Sequence, residues 1–231
     1  MISIRIPAHE IPFDDFLPTR RGDITFGEFV KIVPDGQKAD LLDGVIYMAS
    51  PDNTDAAGLN SWLGSLIHAF VEKDDLGSVY FSRVAYRLGK KWAPEPDIGF
   101  VPKEWESTRR RGFINGPPAL AIEIVSPDSV GRDYIQKRAM YERSGVPEYW
   151  IIDPDEKKAT FLILHGGRYE AAKAVNHIFS SKSLPGFRLD ERWLWKTSRP
   201  RTHDVLRWLE TGKLIPDPQA KSPKRKGNSK S

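Results

Sequence analysis

The stretch ALAIEIVSPDSVGRDYIQKRAMYERSGVPEYWIIDP, residues 119–154, decides the fold. Residues 119–125 form a nearly continuous apolar run, the mark of a central strand covered on both faces. Pro127, Asp128 and Ser129 open a helix across 130–144, which Gly145 closes. Glu148-Tyr-Trp-Ile-Ile is the next strand. Strand, helix and strand at this spacing predict a right-handed parallel crossover. Glu123 is the only charged residue in the first of these strands. A buried carboxylate is costly unless it is paired or metal-bound. Glu123 is therefore either a member of a structural ion pair or a functional residue.

The flanking sequence fills in an α/β class with a mixed sheet. Thr25 is a good N-cap with Glu28 three residues on, the pattern of a capping box. Asp43-Gly44 is a strong turn signal inside a hairpin spanning 40–49. Leu59, Leu63, Leu66, Ile67 and Phe70 give residues 55–73 one apolar helical face. VYFSRVAYRL (79–88) alternates like one half-buried strand, and 97–101 is a short strand after Pro94 and Pro96. Residues 102–118 read as a polar, Arg-rich loop. A hairpin turns at Gly166-Gly167, a last helix covers 204–210, and no internal repeat is visible. The domain layout is an N-terminal arm (1–22), a catalytic-type domain (23–195), a helical extension (196–215) and a disordered basic tail (216–231).

Composition excludes several chemistries. The 231 residues contain no Cys, which rules out a disulfide scaffold, a thiolate zinc site and a cysteine nucleophile. No two of the five His are spaced as a metal pair on a helix, and there is no G-x-S-x-G and no glycine-rich phosphate loop. The net charge of +4 resides in the tail, where Lys221, Lys224, Arg225, Lys226 and Lys230 face one acid, Asp217. The body is neutral. A basic tail binds nucleic acid loosely or merely solubilises. With no apolar run for export or membrane crossing, the expected location is cytoplasmic.

Asp97 opens a second short strand. Two carboxylates on neighbouring strands can converge on a hard cation, with the Ile124 carbonyl as a third oxygen; Glu95 is the alternative partner. Asp133, Lys137 and Tyr141 share a helix face. Lys137 either forms a surface pair with Asp133, worth a few tenths of a kcal/mol, or stands beside the cation. Lys103, Arg109, Arg110 and Arg111, next to Trp105, suit a phosphate backbone as well as a solvated loop. His68 reads as a core histidine.

Asp97, Glu123 and a following lysine resemble the layout of the PD-(D/E)xK nucleases. DLLDGVIYMASP (40–51), EPDIGFV (95–101), residues 119–154 and SLPGFRLD (183–190) resemble one branch in detail, the Uma-two family of restriction endonuclease-like proteins, over about residues 23–195. The resemblance implies a restriction-endonuclease-like mixed sheet flanked by helices. It also implies a Mg²⁺-dependent DNA endonuclease, with Mn²⁺ as the other usable ion. Asp97 and Glu123 would be the metal ligands. Val125 stands where the usual lysine would be, so that role passes to Lys137 on the helix. Asp40 stands where the family usually has Glu and would be an auxiliary acid. The family's histidine near the first long helix is replaced by Asn53, Thr54 and Asp55. The expected partner is DNA, not a membrane, with pairing to a second copy left open. The rival readings are a non-catalytic nucleic-acid or interaction module on the same fold, and a metal-free hydrolase built on a carboxylate pair.

Overall fold

The computed structural model describes residues 23–213 apart from 35, 51 and 52. The arm over 1–22 and the basic tail over 216–231 lie outside the described residues. Helix α1 (Phe26–Ile32) starts at its capping box: the Thr25 backbone N–H and hydroxyl both donate to Glu28 Oε2, at 2.8 and 2.7 Å. Strands β1 (Ala39–Leu42) and β2 (Val45–Met48) pair antiparallel around a two-residue turn. Asp43 and Gly44 both have positive φ, at 50° and 74°, as a type I′ turn demands. Helix α2 (Thr54–Lys73) is capped by Asn53, whose side chain accepts from the Ala56 N–H at 2.8 Å.

The chain then forms β3 (Gly77–Phe81), β4 (Ala85–Tyr86), β5 (Ile98–Pro102), β6 (Arg109–Arg110), β7 (Phe113–Ile114) and β8 (Leu120–Ile124). A π-helical stretch, Arg132–Lys137, runs into α3 (Arg138–Arg143). After it come β9 (Glu148–Asp153), β10 (Lys158–His165), β11 (Arg168–Ala172), β12 (Ile178–Ser180), β13 (Arg188–Asp190) and α4 (Thr202–Thr211). Six strands make one mixed sheet in the order β11-β10-β9-β8-β5-β3. The β8–β9 pair is parallel and the other pairs are antiparallel. The crossover read from 119–152 is present. All five residues of β8 are buried, because helices cover both of its faces.

Alternation along β8 sorts the core. Leu120, Ile122 and Ile124 pack with Leu59, Leu63 and Ile67 of α2. Ala121 and Val125 pack with Met140 and Tyr141 of α3. Glu123 shares the parity of Ala121 and Val125, so it points toward α3. Among the described residues, no helix is long and apolar enough to cross a membrane.

Two expectations fail for local reasons. Residues 79–88 are not one strand. Arg83 takes φ 69° and breaks the run, sending Ala85–Tyr86 into a separate three-stranded sheet of order β4-β7-β6. Residues 102–118 are not an open loop, since they hold a 3₁₀ turn, Lys103–Thr108, and the two-residue strands β6 and β7.

The two sheets meet at Gly99 of β5, where the Tyr86 ring lies against the backbone. A Cβ built on Gly99 would sit 2.2 Å from Tyr86 Oη and 2.7 Å from its Cζ. Tyr86 is buried, so the ring has little room to retreat. Gly99→Ala should therefore cost about 1–3 kcal/mol of stability, the scale of overpacking. Urea denaturation measures it, and an unchanged midpoint would show that the ring moves aside freely.

Candidate active site

The β1–β2 hairpin docks beside the segment that leads into β5. Leu41 and Ala93 exchange backbone hydrogen bonds, Leu41 N–H to Ala93 at 3.0 Å and Ala93 N–H to Leu41 at 2.8 Å. The Glu95 N–H donates to Asp40 Oδ1 at 2.8 Å, and the Ala39 N–H donates to Glu95 Oε2 at 3.2 Å. This docking brings Asp40 to the end of the main sheet, beside Asp97 and Glu123. The β5–β8 ladder runs from Phe100↔Leu120 to Ile98↔Ile122. Beyond it, the Ile124 N–H donates to Asp97 Oδ2 at 2.7 Å. The main-chain group of Ile124 that meets Asp97 is thus its N–H, whereas the expected group is its carbonyl, as a third oxygen ligand.

Lys137 reaches the same place from the helix. Its Nζ lies 2.9 Å from Glu123 Oε2, 2.9 Å from Asp40 Oδ2 and 3.5 Å from Asp133 Oδ1. Its side chain is 4% exposed. The reading of Lys137–Asp133 as a surface pair is therefore overturned, since both are enclosed. Tyr141, the third residue of that helix face, donates its hydroxyl to Glu123 Oε1 at 3.0 Å. The Ser129 hydroxyl donates to Asp133 Oδ2 and the Tyr149 hydroxyl to the Asp133 carbonyl. These bonds pin the start of the helix.

Electrostatics follow from burial. Removal from water pushes the Glu123 carboxyl up to about 8, and Lys137 pulls it back only in part. Burial likewise pushes Glu95 up to about 7, helped by Asp40, and raises Asp133. Burial also works on Asp40, but Lys137, Lys38 and the Glu95 amide together hold it below its ordinary value. Lys137 is held protonated, against its own burial, by Asp40, Glu123 and Asp133.

The residues fit a hard divalent cation. Asp97 and Ile124 line a cavity of about 230 Å³ with Ser50, Asn53, Asn60, Ser126 and Asp128. The carboxylates here offer oxygen donors, the class that Mg²⁺ prefers. Each already accepts two protein donors and retains free lone pairs. Among the described residues, no group of three or more His, Cys, Asp or Glu is arranged to hold a metal ion. Two carboxylates without a closed cage match an ion that keeps several of its own waters.

Asp97, Glu123, Lys137 and Asp40 thus come together in space. Arg109, Arg110 and Arg111 do not join them. All three are exposed, and Arg109 lines a different cavity, of about 310 Å³, with His68, Glu72 and Asp75. His68 itself faces outward on α2, half exposed and 3.9 Å from Glu72, so it is not a core histidine. Lys38 is the residue that sequence reasoning missed. Its ammonium pairs with Asp97 Oδ1. The available signal was its spacing, since Lys38 and Asp40 are two apart at the start of a strand and share a face.

Comparison with known proteins agrees with this architecture. The model of the Uma2 family, described as "Putative restriction endonuclease", matches residues 26–192. No curated protein matches the chain. The crystal structure of a putative nuclease of the DUF820 group from Anabaena variabilis aligns with a TM-score of 0.64 at 19% identity, covering 74% of this chain and 97% of that one. That likeness establishes a shared fold.

The raised carboxyl of Glu123 has a sign that can be measured. In the metal-free protein it keeps its proton up to about pH 8, whereas the unfolded chain releases it near the ordinary glutamate value. Between these limits the folded state binds more protons, so stability falls as pH rises. Glu95 acts in the same direction. Melting temperature measured in chelator should decline from about pH 5 to 8, and Glu123→Gln should flatten that decline. An equally steep decline in the variant would remove Glu123 as its source.

Proposed function

Because the chain belongs to the Uma2 family, whose model matches residues 26–192, we propose that it is a metal-dependent endonuclease hydrolysing DNA phosphodiester bonds in the cytoplasm. Asp97 and Glu123 would hold Mg²⁺, for which Mn²⁺ could substitute, and Lys137 and Asp40 would complete the site. The observation that carries this reading is the contact of Lys137 Nζ with Glu123 Oε2 at 2.9 Å. A lysine displaced onto the helix still delivers its ammonium to the glutamate that a nuclease of this layout needs.

The bound ion supplies Lewis acidity at the phosphoryl oxygen and an activated water. The chain's own groups do the rest. Lys137, locked among three carboxylates, is preorganised to offset the charge that the phosphoryl oxygens gain on the way to the transition state. Asp40 holds that ammonium in place and Tyr141 fixes the orientation of Glu123. The cavity at Asp97 receives the scissile phosphate. Asp97 and Asp128 both line it, and Lys38 and Arg132 already offset part of their charge. Arg109, Arg110 and Arg111 contact the flanking phosphate backbone from their exposed positions, with no sequence preference of their own.

Incubating the full chain with single- and double-stranded DNA and RNA, in Mg²⁺, Mn²⁺ or EDTA, tests the reading. Cleavage of DNA in either metal, lost in EDTA and in Asp97→Asn and Glu123→Gln, is expected. Lys137→Met should slow it by about 10²–10³-fold, the cost of one preorganised donor. Lys137→Arg keeps the charge that the buried acids require and should lose less. Arg138→Met, on the exposed side of the helix, should cut at the native rate. Cleavage indifferent to EDTA would point to a carboxylate-pair hydrolase. Folded protein that neither binds Mn²⁺ nor cuts would point to the non-catalytic module.

A further inference from the structure

The site contains two lysines with opposite degrees of confinement. Lys137 is 4% exposed and touches three carboxylates. Lys38 is 22% exposed, and among the described residues the carboxylate it pairs with is that of Asp97. The Lys38 backbone is anchored, because its carbonyl accepts the Ala49 N–H at 3.1 Å. Among the described residues, its side chain makes its ion pair with Asp97, and Glu123 and Asp40 attract it from farther off. Asp97, itself buried, is among the residues that line the cavity, and Glu123 is not. Five acids (Asp40, Glu95, Asp97, Glu123 and Asp133) crowd this end of the sheet against these two ammonium groups. Buried carboxylates demand positive charge nearby. At Asp97 that charge comes from Lys38.

We infer that Lys38 is a resident counter-ion. Its ammonium occupies the Asp97 carboxylate in the metal-free protein and gives way to a divalent cation when one binds. The inference rests on the assignment of Asp97 as a metal ligand and adds a residue that sets how readily the metal enters. Lys38 is a positioning residue in this role: it acts on the ion through Asp97, by competition. Two like charges cannot share one small carboxylate pocket in low dielectric without mutual repulsion. Metal binding therefore moves the flexible stem of Lys38 toward solvent, a path open to it and closed to Lys137.

The test is Mn²⁺ titration by calorimetry on the full chain, alongside melting curves with and without Mn²⁺. Lys38→Met should bind Mn²⁺ about tenfold tighter than the native protein, because the competing charge is gone. Lys38→Gln, which keeps a donor for Asp97 and protects the fold should the Met variant not fold, should also bind more tightly. Lys38→Arg, which retains the charge, should bind at native affinity. The metal-free Met and Gln variants should melt lower than native, and Mn²⁺ should raise their melting temperature by more. Native or weaker Mn²⁺ affinity in the neutral variants overturns the role of Lys38, while the metal site itself stands if Asp97→Asn still abolishes binding. If Asp97→Asn binds Mn²⁺ like the native protein, the metal assignment falls and the counter-ion role falls with it.

Discussion

One ammonium group surrounded by three buried carboxylates governs this structure. Lys137 Nζ touches Asp40 from β1, Glu123 from β8 and Asp133 from its own helical turn. Burial raises all three acids and Lys137 works against that rise, which is overcome only at Asp40, while the acids together keep the lysine protonated against its own burial. Breaking a buried pair by removing one partner typically costs about 3–5 kcal/mol. The docking of the hairpin, the packing of the helix on the sheet and the orientation of Glu123 therefore depend on one another. The π-helical turn is part of the same constraint. Such widened turns recur at functional sites, and this one carries both Asp133 and Lys137.

Around that fixed centre the site is asymmetric. Glu123 and Lys137 are sealed beneath α3, with Tyr141 completing the shell. Asp97 sits at the rim, where the sheet ladder ends and the Ile124 amide is free to hold it. A rigid interior paired with an accessible rim suits chemistry in which charge must be preorganised on one side while a charged substrate comes and goes on the other.

Much of this was readable from the residues. The crossover at 119–152 was legible because an unbroken apolar run, helix punctuation at Pro127–Ser129 and Gly145, and a second apolar run are all local signals. The Asp43-Gly44 turn was legible because its residue types are nearly obligatory for its backbone. Residues 79–88 misled because alternation continues straight across Arg83, whose positive φ no pattern announces. The 102–118 region misled because strands of two residues, held by neighbours distant in sequence, have no periodicity of their own. In the site, the position of Glu123 was legible as a charge where none belongs. The enclosure of Asp133 and Lys137 was not, since a helix-spaced acid and base look alike on a surface and in a core. Lys38 escaped because its partner lies far along the chain, on another strand.

The order of these parts along the chain has a consequence during synthesis. Lys38 and Asp40 leave the ribosome first, Asp97 and Glu123 later, and Lys137 last. A nascent chain that stops short of the helix therefore has Lys38 for Asp97 but carries Asp40 and Glu123 without the ammonium they share. The hairpin has its backbone bonds to Ala93 and Glu95 from the residues already made, but Asp40 and Glu123 meet their shared lysine only when the helix arrives. A half-made molecule thus has an unfinished charge cluster, and any power to cut nucleic acid waits for the crossover to be complete.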